Sequence, residues 1–130
     1  MCDIIHNFSL KEYNTFNINV NAKYYAKFSS TEELKKILTN KTYKKEKRFV
    51  LGGGSNILLT QNINSVVLHN NITGISIMKE DSKYVLVEVG AGVIWHDFVI
   101  WSVSKNLSGV ENLSLIPGSV GASPIQNIGA

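Results

Sequence analysis

The sequence predicts an α+β fold in a single chain of 130 residues. Apolar and polar residues alternate between Ala22 and Phe28, which is the pattern of a half-buried strand. Ser30 and Glu33 then form a Ser-x-x-Glu motif that is typical of the start of a helix. Two later apolar runs flank a polar turn at residues 80–82, as in a β-hairpin. Short strands and helices therefore share this chain.

The first third of the chain predicts a βαβ unit. Residues 21–30 form the first strand, residues 31–40 the helix and residues 49–52 (FVLG) the second strand. Such a unit brings the glycines that follow to the carboxyl end of a strand. The predicted buried positions are Ala22, Tyr24, Ala26 and Phe28 in the strand and Leu34, Ile37 and Leu38 in the helix.

The rest of the chain predicts further strands and one more helix. We expect short strands at residues 57–60 (ILLT) and 65–70 (SVVLHN), then a hairpin at residues 74–92. Residues 93–105 carry apolar residues at helical spacing. The predicted face of this helix is Ile94, Phe98 and Trp101, with Trp95 and Val99 beside it.

Composition is typical of a globular protein, with 44% hydrophobic and 18% charged residues. The longest apolar runs are far shorter than the roughly 20 residues that cross a membrane, and the first residues lack the pattern of a secretion signal. Cys2 is the single cysteine, so no internal disulfide can form. We therefore expect a cytoplasmic monomer that binds no membrane.

The net charge of +3 is concentrated in residues 41–48, KTYKKEKR. Tyr43 is the only aromatic residue in this run, and no nucleic-acid-binding motif accompanies it. The run is typical of a solvated loop, and we expect no nucleic-acid partner.

No residue spacing in the chain indicates a metal site or an acid–base pair. The histidines are scattered, so each is expected to have a structural or surface role. The acidic candidates are not paired by any spacing either. These residues are His6, His69 and His96, and Glu88, Asp97 and Glu111.

Gly52, Gly53 and Gly54 separate two apolar runs and precede Ser55 and Asn56. Glycine is costly to order, so three in a row need a steric reason. Backbone N–H groups of such a turn can converge on an anion and approach a diphosphate closely. Neither the P-loop nor the G-x-G-x-x-G pattern matches. Taken alone, the motif is more typical of a tight turn than of a ligand cradle.

A second stretch of small, uncharged residues, PGSVGAS at 117–123, favours the ligand cradle. The segment after it combines apolar Ile125 and Ile128 with the amides of Gln126 and Asn127, which suits a flat, partly polar ring system. Together the two loops predict a dinucleotide cofactor.

Four motifs then resemble the UDP-N-acetylenolpyruvoylglucosamine reductase family, flavoproteins of bacterial peptidoglycan precursor synthesis. They are NTF at 14–16, LGGGSNILL at 51–59, VGAGVIWHDFV at 89–99 and GVENLSLIPGSVGASPIQNIGA at 109–130. The resemblance implies an FAD-binding domain of the vanillyl-alcohol-oxidase (PCMH) type with two lobes. We expect the first lobe at residues 1–65 and an incomplete second lobe at residues 66–130, without the substrate domain. The uncharged ending at 115–130 also predicts an incomplete chain.

The resemblance further implies which residues hold FAD, without a covalent bond. The glycine loop would bind the diphosphate through Gly52, Gly53, Gly54, Ser55, Asn56 and Ile57. The later segment would line the flavin and adenosine through Ile116, Pro117, Gly118, Gly121, Ser123, Ile125, Ile128 and Gly129.

The family implies a reaction in which NADPH reduces the flavin, and the reduced flavin passes hydride to the enolpyruvyl group of UDP-N-acetylglucosamine enolpyruvate. The catalytic serine, glutamate and arginine of the family match no position here, so we expect this chain to be inactive alone. Two alternatives stay open: another FAD-linked oxidase or dehydrogenase of the same superfamily, and a non-enzymatic nucleotide-binding module.

Overall fold

A four-stranded mixed sheet forms the first half of the molecule in a computed structural model that describes residues 3–126 and 128. Its strands stand in the order β1-β2-β4-β3. β1 is antiparallel to β2, whereas β2 and β3 both pair with β4 in parallel. The strands are β1 (Ile5–Ser9), β2 (Asn21–Phe28), β3 (Arg48–Leu51) and β4 (Ile63–Asn70).

Helix α1 (Thr31–Thr39) connects β2 to β3 and confirms the predicted βαβ unit. The Ser30 hydroxyl accepts a hydrogen bond from the Glu33 N–H at 3.1 Å, and the Glu33 carboxylate accepts one from the Ser29 N–H at 2.7 Å. The Ser30 hydroxyl thus satisfies a backbone donor that the first helical turn leaves unpaired, and Glu33 binds the residue before the N-cap. The two strands of the unit do not touch, because β4 lies between them.

Side chains alternate across the sheet and build a core on each face. On β4, Val67 belongs to one cluster, whereas Val66 and Leu68 belong to the other. Ile37 of α1 packs in the second cluster. The first cluster contains Leu10, Val20, Ala22, Tyr25, Leu51, Leu59 and Val67, and the second contains Ala26, Phe28, Ile37, Val66 and Leu68.

The predicted strand at residues 57–60 is wrong, because these residues form no strand. β3 and β4 are parallel, so their connection must return along the length of the sheet. Residues 57–60 lie in this return. Leu59 is only 4% exposed in the first core cluster, whereas Leu58 is 65% exposed. Ile57 and Leu59 pack against this core while Leu58 faces outward, and this alternation resembles that of a strand.

The predicted hairpin is confirmed as β5 (Ile75–Glu80) and β6 (Val85–Val89), which pair antiparallel. The Asp81 carboxylate closes its turn by accepting hydrogen bonds from the backbone N–H groups of Lys83 and Tyr84 at 2.8 and 2.9 Å. A short acidic side chain in this role is typical of turns.

Helix α2 (Trp95–Ser104) forms where predicted, but its buried face is different. Trp95, Val99 and Ser102 are buried, whereas Ile94 is 57% exposed. The helix is apolar on most sides, so hydrophobic spacing could not select the inward face. The Trp95 indole N–H donates to the Leu113 carbonyl at 2.8 Å, so the side of the helix that carries Trp95 faces Leu113.

The two sheets and two helices confirm the α+β class. β4 crosses the expected lobe boundary after residue 65 and pairs with β2 as far as Asn70. The division into two lobes, at residues 1–65 and 66–130, stays a prediction. Within residues 3–126 and 128, no helix combines the length and apolar character that crossing a membrane requires.

Candidate functional site

The glycine loop, residues 52–57, begins where β3 ends at Leu51. β3 and β2 both run parallel to β4, so the carboxyl ends of the three strands meet at one edge of the sheet. Ligands of open α/β sheets bind beyond this edge. The local fold therefore places the glycine loop where a ligand is expected.

Gly54 explains why the loop requires glycine. Its φ is +65°, a left-handed conformation that other residues adopt at a cost of about 1–2 kcal/mol. A methyl group at this position would lie 2.1 Å from the Tyr13 carbonyl oxygen and 3.1 Å from Asn14 Cα. Both the conformation and the space exclude a side chain. The Gly54 backbone thus lies directly against the N-terminal segment.

The glycine loop meets a second loop, residues 117–121, which we call the PGSVG loop. A methyl group on Gly53 would lie 3.7 Å from Gly118 Cα, an ordinary contact distance, and one on Gly52 would lie 2.9 Å from Ser119 Oγ. Ser119 is buried at this junction. The structure thus brings together two glycine-rich loops that are far apart in sequence.

The start of α2 holds the PGSVG loop through backbone hydrogen bonds. The Trp95 N–H donates to the Gly118 carbonyl at 2.9 Å, and the Val120 N–H donates to the Val93 carbonyl at 2.8 Å. The Gly121 N–H donates to the Ala91 carbonyl at 2.9 Å. Three bonds along one short segment leave this loop little freedom.

The VGAG segment, residues 89–92, joins the PGSVG loop back to the end of β4. The Gly92 N–H donates to the Ile72 carbonyl at 2.7 Å, and a methyl group on Gly92 would lie 2.9 Å from Asn71 Cα. The Asn71 N–H in turn donates to the Phe28 carbonyl at 2.8 Å. Backbone contacts therefore run from the parallel strands to the PGSVG loop.

Several hydrogen-bond donors of the glycine loop lack acceptors among the residues that the structure describes. The Ser55 hydroxyl is buried without a hydrogen bond, and the N–H groups of Gly53, Gly54, Ser55 and Asn56 find no acceptor there. The lack of a partner is unusual for the Ser55 hydroxyl, because buried polar groups are normally bonded. Unpaired N–H donors and an unpaired hydroxyl can bind the oxygens of a diphosphate. These residues therefore fit the diphosphate of FAD.

The predicted site residues are only partly brought together. Gly53 faces Gly118 and Gly52 faces Ser119, whereas a methyl group built on Gly121 would lie 2.7 Å from the Ala91 Cβ. Ile125 is 84% exposed. Gly129 lies outside the described residues. Pro117 is exposed. The remaining predicted lining residues are half-buried, and they are Ile116, Ser123 and Ile128.

Sequence reasoning gave no role to Tyr13, Asn14 and Thr15, although NTF was among the motifs of the resemblance. The Thr15 N–H donates to the Gly54 carbonyl at 3.2 Å. The Tyr13 carbonyl and Asn14 Cα form the surface on which Gly54 rests. The motif itself was the available signal, but a contact between residues so far apart in sequence has no local pattern.

A tyrosine–histidine pair lies in the same part of the sheet. The Tyr25 hydroxyl is 2.5 Å from His69 Nδ1, and the ring of Tyr13 contacts both side chains. Burial, with a contribution from Lys27, lowers the pKa of His69, and burial also raises the pKa of Tyr25. Both shifts favour the neutral forms, so this pair supports the core.

The other two histidines also contact neighbours. His6 lies 3.1 Å from the Tyr43 hydroxyl, and His96 Nδ1 accepts from the Leu115 N–H at 3.3 Å and lies 3.1 Å from the Ser114 hydroxyl. In the described part of the chain, no group of three histidine, cysteine or acidic residues is arranged to hold a metal.

A separate cavity of about 580 Å³ lies between the hairpin and α2. Tyr84, Leu86, Phe98 and Leu107 are among the residues that line it. None of the predicted cofactor residues belongs to this cavity. The glycine-loop junction is therefore the candidate cofactor site.

Comparison with known proteins gives a family match and close relatives. Residues 22–130 match the family model described as an FAD binding domain. A UDP-N-acetylenolpyruvoylglucosamine reductase of Flavobacterium johnsoniae is 55% identical over 98% of this chain, and one of Amoebophilus asiaticus is 44% identical over 98%. This chain spans only 37% and 38% of the length of those two proteins.

A solved structure shows the same fold. The UDP-N-acetylenolpyruvylglucosamine reductase from Thermus caldophilus superposes with a TM-score of 0.64 at 27% sequence identity. The similarity covers 95% of this chain and 41% of that one. The arrangement of sheets and loops described above therefore occurs within a larger solved protein.

Proposed function

We propose that this chain, which belongs to the family of FAD-binding domains, forms the cofactor site of a UDP-N-acetylenolpyruvoylglucosamine reductase. The proposed enzyme uses NADPH to reduce UDP-N-acetylglucosamine enolpyruvate to UDP-N-acetylmuramate in peptidoglycan precursor synthesis. Relatives with this name match 98% of the chain, and this share supports the assignment. The activity belongs to a protein of the relatives' length, of which the chain spans 37% to 38%.

The observation that carries the proposal is the junction of the two loops. The glycine loop offers the buried Ser55 hydroxyl and N–H donors that have no acceptor among the described residues. The backbone of the PGSVG loop approaches it at Gly118, which also lies against the Gln126 side chain. Such a surface admits a diphosphate at backbone distance.

In the proposed site, the residues of this chain bind and orient the cofactor. Ser55 and the glycine-loop N–H groups hold the diphosphate, and the half-buried Ile116 flanks the flavin or the adenosine. The chemistry that FAD supplies when bound is hydride transfer between NADPH and the enolpyruvyl double bond. We propose no catalytic acid or base within this chain. Arg48, its single arginine, begins β3, whereas the glycine loop follows the other end of that strand.

Both proposed substrates, NADPH and the UDP-sugar, are water-soluble nucleotides, and we propose a cytoplasmic enzyme on this basis. The test uses protein purified from the entire reading frame that contains this chain. Under anaerobic conditions, we expect a flavin absorption band that bleaches with NADPH and returns when the enolpyruvyl UDP-sugar is added. Bleaching by NADPH without recovery on adding the UDP-sugar indicates another FAD-linked oxidoreductase. A protein without any flavin band contradicts the proposal.

A further inference from the structure

The glycine loop rests on a turn, residues 10–18, that precedes the residues matched by the FAD-binding family model, 22–130. Thr15 in this turn contacts Gly54 twice. Its backbone N–H donates to the Gly54 carbonyl at 3.2 Å, and its hydroxyl donates to the same oxygen at 3.4 Å. Gly54 is buried beneath these contacts.

The turn that carries Thr15 is fixed by the neighbouring side chain. Asn14 is 4% exposed, and its amide nitrogen donates to the carbonyls of Leu10 and Ile18 at 2.8 and 3.1 Å. Its amide oxygen accepts from the Ile18 N–H at 3.0 Å. Leu10 is fully buried in the first core cluster. The turn is thus tied to the core and offers Gly54 a firm support.

Holding the Gly54 carbonyl also fixes the direction of the Ser55 N–H. The peptide bond between them is planar and trans, so its carbonyl and its N–H point in opposite directions. Because the carbonyl faces Thr15, the N–H faces away from the turn. A rotation of this peptide would instead turn the carbonyl oxygen toward a bound anion, which it would repel.

We infer that Thr15 is a positioning residue for the diphosphate group of FAD. It holds the Gly54 carbonyl through its N–H and hydroxyl, so that the Ser55 N–H is directed outward as an anion donor. Thr15 itself does not touch the diphosphate. This inference rests on the proposed cofactor and extends the site to a segment that the family match does not include.

The substitution Thr15→Val tests the hydroxyl contact, because valine keeps the shape and the backbone N–H. Thr15 is exposed, so we expect the melting temperature of the flavin-free protein to stay the same. The hydrogen bond is long, and we expect the Kd for FAD to rise roughly three- to tenfold. Thr15→Ser keeps the hydroxyl and should restore most of the affinity. Thr42→Val is the matched control, because Thr42 is an exposed threonine in the basic run at residues 41–48.

The measurement is a titration of FAD into flavin-free protein from the entire reading frame, followed by flavin fluorescence. The inference is supported if Thr15→Val weakens binding while Thr15→Ser and Thr42→Val do not. It is overturned if Thr15→Val binds FAD as the unsubstituted protein does. It is also overturned if Thr15→Val lowers the melting temperature of the flavin-free protein as well as the affinity for FAD. Failure of the unsubstituted, folded protein to bind FAD contradicts the proposed function as well, so the two failures are distinguishable.

Discussion

Gly54 combines a left-handed backbone with contact to the N-terminal turn. We expect Gly54→Ala to lower the free energy of unfolding by more than about 2 kcal/mol, because the strained φ and the overlap with the Tyr13 carbonyl act together. Urea denaturation measures this change. Gly53→Ala is the control, since its methyl group meets Gly118 at an ordinary 3.7 Å. Equal losses of stability in the two variants would contradict the described contact.

His69 predicts a dependence of stability on pH. Burial lowers its pKa in the folded protein, so the unfolded chain binds the proton more readily. The free energy of unfolding should therefore fall as the pH drops below about 6.5, the ordinary value for histidine, and level off below the folded pKa. His69→Gln should remove this slope. Exposed carboxylates with a lowered pKa, such as Asp81 and Glu111, take up protons only at lower pH.

Denaturation curves at several pH values between 7 and 5 check this expectation, with His6→Gln as the control. His6 is exposed and contacts the Tyr43 hydroxyl. If the unfolding free energy still depends on pH in His69→Gln but no longer does in His6→Gln, the account of His69 is wrong. The sequence alone could not separate the two histidines, because burial depends on which strand each one joins.

At the scale of elements, local patterns predicted most of the architecture. The capping motif at Ser30 and the acidic turn at Asp81 act within a few residues, and both form as predicted. The rotation of α2 and the course of residues 57–60 were predicted wrongly. Both depend on distant partners, the Leu113 carbonyl and the first core cluster, which hydrophobic spacing does not encode.

Leu58 tests the return between β3 and β4, and the buried Leu51 at the end of β3 is the reference. Leu51 is 1% exposed at the end of β3, whereas Leu58 is 65% exposed. We expect Leu51→Ala to cost about 2–5 kcal/mol of unfolding free energy and Leu58→Ala less than about 0.5 kcal/mol. Chemical denaturation of the two variants measures both. A large loss from Leu58→Ala would mean that residues 57–60 pack as a buried strand.

At the scale of the whole molecule, the two glycine-rich loops were predicted as parts of one site. Composition indicated that each could admit a ligand, and the resemblance assigned them to FAD. Their contact through Gly53 and Gly118 required the folded chain. The support from Thr15 was missed for the same reason, because a hydrogen bond from the N-terminal turn to the Gly54 carbonyl leaves no periodic pattern.

The most direct test of the central claim is FAD binding by the Ser55→Ala variant of the protein from the entire reading frame. The Ser55 hydroxyl is buried without a partner among the described residues, so its removal should leave the flavin-free protein equally stable or more stable. Its loss should weaken FAD binding by about tenfold or more, since a bond to a charged group is lost. Ser82→Ala, in the exposed hairpin turn, is the control.

The measurement is a titration of FAD into both variants and the unsubstituted protein, with melting temperatures recorded before FAD is added. The account predicts one FAD per chain, weaker binding only in Ser55→Ala, and no loss of flavin-free stability in that variant. Folded protein that binds no FAD, or Ser55→Ala that binds FAD as tightly as the unsubstituted protein, would contradict the assignment of the glycine loop to the diphosphate.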